Sequence, residues 1–142
     1  MVGDVDMIKL SEIKDALEDV DMNSRCYFNR KTNEILWSWD DNREYSTYHE
    51  EDEYNNDIIF MFDFFTKNDY DIMQDFIGTI NDDSLKNELY SATRGKGSFN
   101  RFRDIIDSNG VTNDWYMFRD NEYKKIAKEW CINNKIEFEE DC

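Results

Sequence analysis

Proline is absent from this 142-residue chain, and histidine occurs once, at His49. Without proline no helix is broken by a ring, and no native cis-prolyl bond slows folding. The three cysteines, Cys26, Cys131 and Cys142, are an odd number at unrelated spacings, with no Cys-x-x-Cys pair. One histidine beside them does not make a zinc site of the Cys/His type, so no metal is expected, and reduced thiols in a cytoplasmic protein are the simple reading. Long apolar runs are missing too. The longest, residues 58–62, falls far short of the roughly 20 residues that span a bilayer. The opening stretch MVGDVDMIK has no cationic segment followed by an apolar one, so no signal peptide is expected and no membrane partner.

Cations are scarce. Seventeen Lys and Arg face thirty-three Asp and Glu, for a formal net charge of −16. Such a charge repels nucleic acid and anionic membranes and favours basic partners; direct nucleic-acid binding is therefore disfavoured, and a basic protein is electrostatically welcome. Salt should stabilise the fold by screening self-repulsion within about 8–10 Å. The charge is unevenly spread: residues 1–93 carry −15, residues 94–103 carry +4, and residues 104–142 carry −5. What the chain does have is aromatic surface, with ten Phe, eight Tyr and four Trp distributed along it. Disordered acidic segments are usually poor in aromatics, so a folded acidic domain is expected, one domain by length.

Apolar residues Ile8, Leu10, Ile13, Ala16, Leu17 and Val20 recur at helical spacing and predict a helix over about 11–19, with Ser11 as its cap. Two aromatic and β-branched runs around the polar stretch 30–33 predict a β-hairpin, with Ile35, Trp37 and Trp39 on one face. An acidic stretch from 40 to 56 follows, densest at Glu50, Glu51, Asp52 and Glu53, which reads as a solvated loop. The continuous apolar character of 57–62 fits a strand buried on both faces. From residue 68 the pattern is helical, with Asn68, Asp82 or Asp83, and Ser98 as caps, Gly110 as a left-handed stop, and a long last helix over about 113–134. Strands first and helices later give an α+β fold: an N-terminal helix and a small antiparallel sheet over about 8–62, then about four helices over 68–134, in a single domain 1–142.

Three stretches of the C-terminal half carry a resemblance: Gly95-Lys-Gly-Ser-Phe-Asn-Arg-Phe-Arg-Asp104, Trp115-Tyr-Met-Phe-Arg-Asp120, and Tyr123-Lys-Lys-Ile-Ala-Lys-Glu-Trp-Cys131. Together with Met73-Gln-Asp-Phe76 and Leu10-Ser-Glu-Ile13, they resemble the bacterial group called uncharacterised protein family 0158. The resemblance implies a bacterial cytoplasmic protein. That family has no established activity, so it supplies no catalytic residue, cofactor or partner.

The basic island is the first candidate site. Gly95 and Gly97 before a helix start at Ser98 would leave main-chain N–H groups free to face an anion, with Arg94, Lys96 and Arg101 completing a phosphate or carboxylate pocket. The alternative is that these cations pair internally with acids, and Arg103 and Arg119 lean that way. Gly-x-x-x-x-Gly-Lys-Ser/Thr is not present, and neither is an Asp-x-Asp-x-Asp-Gly calcium loop. The second candidate is an acidic interaction surface at Glu50, Glu51, Asp52 and Glu53, which would dock a basic protein. Trp115, Tyr116 and Trp130 read as core rather than as a stacking platform. His49 has no visible partner among the cysteines, so no catalytic residue is nominated and no cofactor is expected. The resulting expectation is a non-enzymatic binding or regulatory module. The alternative is a hydrolase-type enzyme with an unrecognised carboxylate and arginine site. A homo-oligomer is left open.

Overall fold

The hairpin forms where the side chains alternate. In the computed structural model, which describes residues 7–40 and 43–142, strand β2 (Ser24–Asn29) pairs antiparallel with β3 (Glu34–Trp39). The turn is closed by Asn33, whose φ of 61° places it in the left-handed region, and by a 2.8 Å bond from its N–H to the Asn29 carbonyl. Asparagine tolerates that conformation better than most residues because its short side chain can bond locally. Ser24, Cys26 and Phe28 are buried, while Arg25, Tyr27 and Asn29 point to the other face. Ile35, Trp37 and Trp39 lie directly opposite Phe28, Cys26 and Ser24, so they share the core face as their spacing predicts.

The third strand departs from expectation. Strand β4 (Ile58–Asp63) pairs with β2, which makes the order β3-β2-β4 and leaves β4 at an edge rather than buried on both faces. The register slips between Cys26 and Tyr27: Cys26 faces Phe62 and Tyr27 faces Phe60, so Met61 is the extra residue. This bulge turns two successive side chains inward, Met61 and Phe62, while Phe60 stays exposed. The apolar run thus reports a bulge and a covered edge, not a central strand. The indole N–H of Trp130 donates to the Phe60 carbonyl at 3.2 Å, beside that slip.

Helix α1 (Leu10–Asp19) follows the two-residue strand β1 (Ile8–Lys9) and buries Leu10, Ile13, Ala16 and Leu17. Lys9 rather than Ser11 is its cap position, two residues earlier, and the Lys9 N–H is held by the Glu12 carboxylate. The chain then runs through four further helices: α2 (Asp69–Gly78), α3 (Asp83–Ala92), α4 (Ser98–Ser108) and the 22-residue α5 (Thr112–Asn133). Asn68 caps α2 by accepting from the Asp71 N–H, Asp82 caps α3 by accepting from the Leu85 N–H, and Gly110 follows α4 with φ 70°. Strand β5 (Phe138–Glu139), which no local pattern announced, pairs in parallel with β1. The architecture is therefore α+β: an N-terminal helix, a three-stranded antiparallel sheet and four C-terminal helices.

Two compact units result. One comprises the residues up to 67 together with 123–142, and the other is residues 68–122. In the first, Trp130 stands edge-on to Phe28 at 5.7 Å between ring centroids. Buried Cys26, Leu10, Ile13, Ala127 and Cys131 complete that core. In the second, Phe76 is surrounded by Phe102, Trp115 and Phe118 at 6.2, 5.5 and 5.5 Å. Trp115 is 7% exposed and core as read from its spacing, whereas Tyr116, read with it as core, is 52% exposed. Among the described residues no helix is long and apolar enough to cross a membrane.

Candidate functional site

The acidic stretch is built onto the sheet by neutral groups. The outward main chain of Trp37 accepts from the Thr47 and Tyr48 N–H groups at 2.8 and 2.9 Å, and its own N–H goes to the Thr47 hydroxyl at 2.7 Å. The Trp39 N–H is taken by the Ser46 hydroxyl at 2.9 Å. Residues 46–48 thus satisfy the free edge of β3 as a short surrogate strand. An unpaired edge is a template for aggregation, so covering it is itself stabilising. Tyr48 then lies flat on Tyr27, with ring centroids 3.7 Å apart and planes 8° from parallel. Beyond it the chain folds into a 3₁₀ turn (Glu50–Tyr54) rather than an unstructured loop, its start fixed by the Asp52 carboxylate accepting from the His49 N–H at 2.9 Å.

These elements border an open cleft of about 780 Å³. The stacked Tyr27 and Tyr48 line it, with Trp39, Asp40, Glu50, Glu51 and Glu53. Asp40 is already paired with Arg25 at 2.7 Å. Glu50, Glu51 and Glu53 are exposed, and among the described residues no cation pairs with them. Asp52 is set apart from its neighbours, because it caps the turn. The phenol of Tyr48 is pushed above its ordinary value, first by desolvation and then by Tyr27, Glu53 and Asp52 nearby. The local potential is negative even at a hydroxyl seated on the sheet.

The basic island is organised differently. The N-cap of α4 is Gly97, at φ 76°, and Ser98 is the first helical residue, buried and not the cap. Arg101 reaches back and donates Nε to the Ala92 carbonyl at 2.7 Å, NH1 to the Lys96 carbonyl at 2.6 Å and NH2 to the Arg94 carbonyl at 2.7 Å. One guanidinium therefore staples the end of α3 to the loop that follows, where orphan carbonyls and the negative end of the helix dipole favour a cation. A Cβ on Gly97 would stand 3.0 Å from Arg101 NH1, so any other residue there would strain the backbone at φ 76° and press on the guanidinium. Arg101 serves the fold, through carbonyls rather than through acids. Arg94, Lys96 and Arg103 are exposed, and among the described residues no carboxylate pairs with any of them. Arg119 does pair internally, with Asp69 at 3.0 Å. Of the anion pocket expected at Arg94, Gly95, Lys96, Gly97, Ser98 and Arg101, the Arg101 guanidinium is engaged with three main-chain carbonyls, while Arg94 and Lys96 are exposed.

The thiols are quiet. Burial pushes the Cys26 pKa up to about 12 and that of Cys131 up to about 11, so both stay protonated and non-nucleophilic near neutrality. Cys26 Sγ faces the Phe62 carbonyl at 3.7 Å, and Cys142 is exposed. Among the described residues no three His, Cys, Asp or Glu side chains converge in a way that could hold a metal ion. No family model, curated protein or solved structure matches the chain, so the resemblance to family 0158 rests on its quoted motifs alone.

Proposed function

We propose that the protein is a non-enzymatic binding module of the bacterial cytoplasm, and that it docks a basic protein through the acidic cleft on its hairpin. The observation that carries this reading is that one cleft is lined both by a stacked tyrosine pair and by three unneutralised glutamates, Glu50, Glu51 and Glu53. An aromatic face attracts a lysine or arginine head by about 0.5–1 kcal/mol at exposed sites, and carboxylates at the rim add charge complementarity. The acidic surface beyond the cleft would steer the encounter and make it salt-dependent. Rigid support favours the same reading, since hydroxyls, main-chain bonds and Asp52 hold the turn while the three glutamates take no part in holding it.

The test is titration with a lysine- and arginine-rich peptide against a neutral one of equal length, followed by calorimetry at low and high salt. Binding should weaken steeply with salt and fall about tenfold or more in the triple variant Glu50→Gln, Glu51→Gln, Glu53→Gln. Equal affinity for the neutral peptide, or an unchanged affinity in the triple variant, would overturn the proposal.

A further inference from the structure

A second cleft, of about 510 Å³, lies within residues 68–122, between α2 and α3. Its chemistry is the opposite of the first. Tyr70, Gln74, Asn87, Tyr90 and Ser91 line it with amides and hydroxyls together with Thr93 and Arg94, and no acidic side chain is among its lining residues. The base of the cleft is fixed by Thr93, which is 1% exposed. Its hydroxyl accepts from Gln74 Nε2 at 2.9 Å and donates to the Tyr90 carbonyl at 3.2 Å, while the Tyr70 hydroxyl donates to the Thr93 carbonyl at 3.1 Å. These bonds leave Gln74 Oε1 and the whole Asn87 amide available to a guest. Just outside, the Arg94 carbonyl is gripped by Arg101, so the backbone that carries the free guanidinium is held in place.

We infer that this cleft binds a small hydroxylated oxyanion, of the sugar-phosphate or sugar-acid class. The anionic group is argued from Arg94, whose planar fork matches a phosphate or carboxylate and which pairs with no carboxylate among the described residues. Hydroxyls are required by the walls, which offer amide and hydroxyl groups where a pocket for an apolar ligand would offer methyl groups. The volume suits one small molecule rather than a polymer, and the negative charge elsewhere on the protein would repel a polyanion. The site differs from the one expected at the start of α4: Arg94 is kept, Lys96 and Ser98 are not lining residues, and Gln74 and Asn87 are gained. It is independent of the acidic cleft and of the basic partner proposed there.

Side-chain amide resonances of Gln74 and Asn87 report binding directly in a nitrogen-15 NMR titration at constant ionic strength. The probes are ribose 5-phosphate, gluconate, uncharged glucose and inorganic phosphate. Ribose 5-phosphate or gluconate should shift both amides saturably at millimolar concentration, and the two arms tell phosphate from carboxylate. Arg94→Gln and, separately, Asn87→Asp should each weaken that binding by about tenfold or more, with the remaining spectrum showing that the fold is kept. Inorganic phosphate binding as tightly as either compound would refute the hydroxylated class. No saturable shift with either compound, or a shift unaltered by Arg94→Gln, would overturn the site.

Discussion

The acidic stretch 44–54 and the basic loop 94–97 are both charged connections, yet they are held by opposite means. The acidic one is fastened through neutral groups: the Ser46 and Thr47 hydroxyls on the edge of β3, the Tyr48 ring on Tyr27, and one carboxylate, Asp52, used as a cap. Glu50, Glu51 and Glu53 are passengers on that scaffold. In the basic loop a charged group is itself the fastener, because Arg101 takes three main-chain carbonyls. Arg94 and Lys96 are the passengers there. The lesson is that net charge says little about which charges the fold needs. A fixed guanidinium facing carbonyls is structural; a carboxylate row facing solvent is free to act on something else.

The largest effect should come from the aromatic cluster beneath the basic loop. Phe76→Ala removes a ring in contact with Phe102, Trp115 and Phe118; the cost should be about 3–5 kcal/mol, read from denaturant unfolding. Next is Arg101→Ala, expected at about 1–3 kcal/mol because three carbonyls lose a charged donor. Arg101→Lys should not restore stability, since an ammonium cannot reproduce the fork. Were Arg101→Ala to cost no more than Arg94→Gln, which should stay within about 0.5 kcal/mol, the contrast between fastener and passenger would collapse.

On the acidic side the triple change of Glu50, Glu51 and Glu53 to Gln should leave stability within about 0.5 kcal/mol. The same variant should lower the Tyr48 pKa toward 10.0, because Glu53 is one of the groups raising it; an ultraviolet tyrosinate titration reads this out. A Tyr48 that does not move would leave its shift to desolvation, Tyr27 and Asp52.

The smallest effect concerns the far end of the sheet unit. The Asp141 carboxylate accepts from the Ser11 hydroxyl at 2.5 Å and from the Ser11 N–H at 2.9 Å. Its pKa is lowered below the ordinary 3.8, first by the hydroxyl bond. A depressed carboxylate stabilises the fold above its unfolded pKa and loses that contribution as pH falls through the folded value. Ser11→Ala should therefore raise the Asp141 pKa toward 3.8 in a carbon-13 carboxylate titration and soften stability only above that range. An unmoved pKa would mean the hydroxyl bond is not made in solution.

Periodicity located the helices, and Asn68, Asp82 and Gly110 mark ends where the side chain or φ at that residue is the cause. Ser11 and Ser98 are local misses, since the caps fall on Lys9 and Gly97. The larger misses are non-local. Nothing near residue 138 says that it will pair with residue 8, and the apolar run 58–62 cannot distinguish a bulged edge from a central strand. The clamp of Arg101 joins carbonyls seven and nine residues away across a turn, so composition shows a cation but not its employment. Gln74 and Asn87 carried no signal at all, because an uncharged amide on a helix becomes a lining residue only when two helices pack.

Synthesis order adds a consequence to the way the chain is partitioned. Residues 68–122 form an uninterrupted segment, whereas the sheet unit needs residues 123–142 to supply Tyr123, Ala127, Trp130 and Cys131. On a ribosome the helical segment can therefore close its core first, while Phe28 and Phe62 lack their contacts with Trp130 until the second part of α5 emerges. The acidic cleft, lined by residues 27–53, thus sits on a sheet whose packing is completed last, whereas the amide-lined cleft draws on residues 70–94 alone.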